Sequence, residues 1–106
     1  MSTIRPMSNI VKLFAVRLSI DIANTPTITT ADTTVTVPGV LPGDLVFVNK
    51  PSTNTGLGIA NARVSAANTI VITTINPTAG AINPAAEIYD LIIMRPEGTP
   101  PGVFAA

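Results

Sequence analysis

The chain has no cysteine, no histidine and no tryptophan. Without cysteine it forms no disulfide, and its composition is silent on redox compartment. Lacking both histidine and cysteine, it has neither the usual general base nor a thiolate nucleophile, and any metal site would fall to carboxylates alone. Charge is scarce as well: 11% of the 106 residues are ionic and the formal net charge is zero, where an ordinary domain carries about 25%. The basic residues Arg5, Lys12, Arg17, Lys50, Arg63 and Arg95 are scattered. Gripping a phosphate backbone takes clustered Lys and Arg, so nucleic acid is not the expected partner. No apolar run approaches the ~20 residues that cross a bilayer, so no membrane partner is expected either. The opening MSTIRPMSNIVKLFAV lacks a continuous apolar stretch ending in a small-residue cleavage site. The expectation is synthesis in the cytoplasm without a classical export signal.

What is present is apolar and β-branched. Mean hydropathy is +0.48. The length suits one domain with its own core, burying roughly two-thirds of the unfolded surface. With so few charges to solvate the exterior, part of it should be covered by other chains.

The pattern along the chain is that of strands. Phe14, Val16, Leu18, Ile20 and Ile22 recur at every second position of Val11–Ala23, with Arg17, Ser19 and Asp21 on the other face; period two means a sheet with one wet face. Ala31–Val37 repeats the pattern, with Val35 and Val37 inward. Pro38-Gly39 and Pro42-Gly43 follow, each supplying the fixed first angle and the positive φ of a type II turn. Leu45–Asn49 is apolar on both faces and reads as a central strand. Lys50–Gly58 is a loop by composition. The stretch Asn54–Ala85 organises the rest: Ile59–Ser65, with Ala60, Ala62 and Val64 on one face; a turn at Ala66-Ala67-Asn68, with Asn68 left-handed; and Thr69–Asn76, ended by Pro77. Glu87–Arg95 is the last strand, with Leu91–Met94 apolar on both faces. Six short strands, Gly/Pro turns and no helix predict an all-β domain, a small β-sandwich or β-barrel, over residues 11–95. Residues 1–10 and 96–106 read as extended arms, either loose or docked on a neighbour. Their Ile4, Arg5, Met7, Val103 and Phe104 are the candidate protein contacts.

No constellation for catalysis emerges. Glu87 and Asp90, three apart on a strand, fall on opposite faces. Gly56-Leu57-Gly58 lacks the third glycine, the lysine and the helix of a phosphate loop, and reads as a bend into a strand. Threonines at 25, 27, 29, 34 and 36 are good exposed strand residues or a hydroxyl-rich surface. Asn76-Pro77 and Asn83-Pro84 frame a loop in which Gly80 allows a reversal; it is an ordinary rigid loop or a preorganised contact. No enzyme activity, cofactor or metal is expected.

Four stretches carry a resemblance: Asp32-Thr-Thr-Val-Thr-Val-Pro-Gly-Val, Pro42-Gly-Asp-Leu-Val-Phe-Val-Asn, Gly56-Leu-Gly-Ile-Ala-Asn-Ala-Arg-Val and Thr69-Ile-Val-Ile-Thr-Thr-Ile-Asn-Pro-Thr-Ala-Gly. As a set, across about Ala31–Arg95, they resemble a module of tailed-bacteriophage virion proteins: the capsid decoration (cement) proteins of phage heads and related head-fibre modules. The resemblance implies a small β domain, usually a homotrimer, on the outer capsid surface, bridging neighbouring copies of the major capsid protein. It marks Gly56, Gly58, Asn76, Pro77, Thr78 and Gly80 as structural signature residues and brings no catalytic motif. The alternative left open is an adhesive module of a fibre or spike that grips a host surface polymer.

Overall fold

The computed structural model describes residues 9–98. It is all-β, with six strands: β1 (Ile10–Ile20), β2 (Thr29–Thr36), β3 (Leu45–Asn49), β4 (Gly58–Ala66), β5 (Thr69–Asn76) and β6 (Glu87–Pro96). They form one antiparallel sheet in the order β1-β6-β3-β4-β5-β2. The arms expected at 1–10 and 96–106, and with them Ile4, Arg5, Met7, Val103 and Phe104, lie almost wholly outside the described residues.

The fold class is the expected one, an all-β domain of six strands, and all six belong to one open sheet. Ile20, Ile22, Val35, Val37, Val40, Ile70, Ile72, Tyr89, Leu91 and Ile93 make one buried cluster. They come from both ends of the strand order, so the sheet rolls over until its β1–β6 side packs against its β5–β2 side. β3 and β4 share a single registered pair, Leu45 with Arg63. The roll therefore consists of two well-laddered halves, β1-β6-β3 and β4-β5-β2, joined at a weak seam. Strand direction alternates along an even number of strands, so β1 and β2 run antiparallel across the open side. They do not pair. A cleft of about 260 Å³ lined by Leu18–Asp21 and Thr33–Thr36 separates them. One side-chain tie crosses near its end, the Ala23 amide donating to Thr33 Oγ1 at 2.8 Å.

The turns follow from their residues. Gly39 and Gly43 both sit at φ +97 after their prolines, and Asn68 sits at φ 62 in the two-residue link between β4 and β5. Asn68 Oδ1 also accepts from the Gly39 amide at 2.8 Å, tying the hairpin to the Pro38-Gly39 turn. β1 ends at Ile20, three residues before the periodicity does, although Ile22 is still buried. In β4 the face assignment changes at one position. A bulge between Ile59 and Asn61 lets Ile59 pack on the core and turns Ala60 out to solvent, contrary to strict alternation. One extra residue on one strand flips the parity of everything before it.

Candidate binding surface

The signature residues cluster where the loops after β1 and β5 meet. Asn76, fully buried at the end of β5, organises them. Its Nδ2 donates to the carbonyls of Thr25 (3.0 Å) and Gly80 (2.8 Å). Its Oδ1 accepts from the Thr78 amide (2.9 Å) and lies 2.6 Å from the Thr78 hydroxyl. Thr25 and Ile82 exchange backbone hydrogen bonds of 2.8 and 3.0 Å, and buried Thr25 Oγ1 meets Thr74 Oγ1 at 2.7 Å. Thr27 Oγ1 donates to the Thr78 carbonyl.

Gly56 packs against this knot. Its φ is +86, and a Cβ there would overlap the Thr78 methyl. A Cβ on Gly58 would lie 3.3 Å from the Ile75 side chain. Gly80, by contrast, has an ordinary φ and open space around it, so its expected role in a reversal is not what the position needs. Its contribution is its carbonyl, the acceptor for Asn76. Pro77 closes β5 and leaves Thr78 positioned for Asn76. All six residues thus help to hold these loops together.

Three of the six acids, Asp44, Glu87 and Asp90, are tied up in ion pairs. Asp44, its side chain only 2% exposed, accepts from Arg95 Nε and Nη2, each at 2.8 Å, and from the Leu41 amide at 2.9 Å. Hydrogen bonding from Arg95 holds the Asp44 carboxyl below its ordinary range, against the opposing effect of burial. Lys50 reaches Glu87 at 2.6 Å, Asn54 Oδ1 at 2.7 Å and the Ser52 carbonyl at 2.9 Å. The Lys50 and Ser52 hydrogen bonds lower the Glu87 carboxyl. Arg17 grips Asp90 with two nitrogens, at 2.7 and 3.2 Å, and lowers it likewise. Burial, with smaller contributions from Glu87 and Asp21, pushes the Tyr89 hydroxyl up to about 12. Among the described residues no three of Asp, Glu, His and Cys converge on a point.

The surface able to recognise a partner is the outer face of β1-β6-β3. Side chains opposite one another across the ladders form rows. Leu13, Met94 and Leu45 make one, ending at Arg63 on β4; Ala15, Ile92 and Phe47 make the next; Arg17, Asp90 and Asn49 make a polar third. Leu13, Leu45, Phe47 and Ile92 are all exposed, Phe47 at 59%, and Val11 extends the patch along β1. The doubly apolar Leu45–Asn49 reads as a central strand, and Leu91–Met94 of β6 is doubly apolar too. The strands are central, but no other element of the described chain lies over their outer face.

A second, chemically opposite face lies on β2, where Thr30, Asp32, Thr34 and Thr36 are exposed and Thr73 of β5 donates to Asp32 at 2.7 Å. No protein-family model, characterised protein or solved structure matches this chain.

Proposed function

We propose that this chain is a structural virion protein: a cement protein that coats the outer face of a tailed-phage head as a homotrimer, links copies of the major capsid protein and stabilises the shell. The observation that carries the reading is the apolar outer face of β1-β6-β3 on a chain in which only 11% of residues are charged. A surface of that kind functions when something lies against it. The resemblance of the four motif stretches names the setting. The acids engaged in ion pairs fit a scaffold better than a reaction site. Clamping a shell calls for repeated modest footholds, which a trimer multiplies into avidity without a cofactor.

The test is to add the purified protein to capsids stripped of it and follow their disruption by heat or denaturant. Binding at saturable sites with a raised disruption temperature is expected. Capsids that neither bind the protein nor gain resistance would overturn the proposal.

The threonine face of β2 favours a second reading, an adhesive module for a polar surface polymer. Selective binding on a glycan array, lost on substituting Thr34 and Thr36 and unaccompanied by capsid binding, would put this reading first.

A further inference from the structure

We infer that the outer face of β1-β6-β3 is covered by a second copy of this chain, not by the capsid. The inference rests on the cement-protein reading for its setting, but its argument comes from the face itself. Val11, Leu13, Leu45, Phe47 and Ile92 stand 39–59% exposed on three laddered strands. At about half exposure, five large apolar side chains leave roughly 500 Å² of apolar surface in water, the upper range for a monomer. A stable interface covers about 800 Å² per partner, apolar at its centre and polar at its rim. The patch with its surrounding polar row has that anatomy. Phe47, near the middle of the face, is the natural anchor.

Three features favour a copy over another partner. The face exists as soon as the chain folds, and the partner present then at equal concentration is the chain itself. The polar row is self-neutralised by the Arg17–Asp90 pair, and the chain is neutral as a whole; this row therefore adds no like-charge repulsion when copies meet. Finally, β1 is an edge strand bordering the patch, so a copy laid across it also shields an unpaired backbone edge that would otherwise seed aggregation. The face belongs to the assembly unit, and the capsid contact lies elsewhere on the molecule.

The test compares wild type, Phe47→Asp and Leu13→Asp by light scattering across micromolar concentrations, with Thr34→Asp on the opposite face as control. Wild type and Thr34→Asp are expected as oligomers. Phe47→Asp and Leu13→Asp are expected as folded monomers by circular dichroism, with self-association weakened at least about a hundredfold. The absence of native cysteine gives a readout that tolerates a failed variant. A polarity-sensitive fluorophore on Ala15→Cys, in the same row as Phe47, should blue-shift as concentration rises, and the same label on Thr34→Cys should not. A monomeric wild type, or an oligomer indifferent to both Asp substitutions and to the label, overturns the inference. An indifferent oligomer that still protects capsids would spare the cement reading. An oligomer that dissociates as expected but never binds capsids would overturn the cement reading alone.

Discussion

Replacing Asn76 tests whether one buried carboxamide holds the loop knot. The side chain uses its full capacity, two donors and two acceptor positions, on Thr25, Gly80 and Thr78. Asn76→Ala deletes these hydrogen bonds, each worth ~0.5–1.5 kcal/mol net. The damage is limited because the stranded groups other than the Thr78 amide keep partners. The Thr25 carbonyl still accepts from the Ile82 amide, and the Thr78 hydroxyl, 2.9 Å from the Gly80 carbonyl, can turn to it. Values near the lower end of that range apply, about 2–3 kcal/mol in all. In a domain this size that lowers Tm by roughly 10–20 °C. Asn76→Asp keeps the shape but turns a carboxylate oxygen toward two carbonyls in a site closed to water. It should be worse than alanine at pH 7, by more than about 1 kcal/mol. Burial and the facing carbonyls raise the aspartate's folded pKa above its unfolded value of about 3.9. The folded state then binds the extra proton, so this variant gains stability as pH falls from 7 toward 4. Urea unfolding followed by far-UV circular dichroism at pH 7 and pH 4.5, at one fixed protein concentration, measures both effects. An alanine variant within 0.5 kcal/mol of wild type, or aspartate and alanine variants equal at both pH values, would refute the reasoning.

Gly56→Ala should destabilise by about 2 kcal/mol, part from positive φ and part from overlap with the Thr78 methyl; adding Thr78→Ser, which removes that methyl, should restore stability in part and never fully, as read by thermal melts. Ile28 is a β-branched residue at φ 51 and 75% exposed, so Ile28→Asn should stabilise by about 1 kcal/mol, with an unchanged or lower urea midpoint counting against it. Asp44 is held below its ordinary pKa by Arg95, so its contribution is complete above the unfolded value of about 3.9 and is lost as pH falls through the folded one. A plot of Tm against pH should therefore lose part of its acid slope in Asp44→Asn, and more of it than in Asp90→Asn, because the Asp90 pair stands in solvent.

Period-two patterning located β1, β2 and β4, and apolar or β-branched runs bounded by turn residues located β3, β5 and β6, because burial and turn chemistry are local properties of the sequence. Leu45–Asn49 and Thr69–Asn76 have the bounds that composition implies, since proline or a Gly-Asp turn punctuates them. The features that were not legible are non-local. Whether Ile59 or Ala60 faces the core depends on a bulge opposite Thr73 and Thr74, and nothing in Gly58–Ser65 alone encodes it. The Asp44–Arg95 pair joins residues 51 apart, and Asn76 reaches a carbonyl 51 residues away. Such pairings follow from the strand order, which periodicity does not provide. The binding face is a different case, because its residues were visible and their meaning was not. Doubly apolar strands such as Leu45–Asn49 and Leu91–Met94 imply cover on both sides. In a single rolled sheet the inner side is covered by the roll, and among the described residues the outer side is not. Under the proposed self-association, the same apolar patterning encodes two burial events, one completed when the chain folds and one when a second copy arrives. On the proposed reading, a sequence that spends Phe47 and Ile92 on the outer face, while pairing Arg17 with Asp90 beside them, is patterned for the assembled state rather than for the single chain.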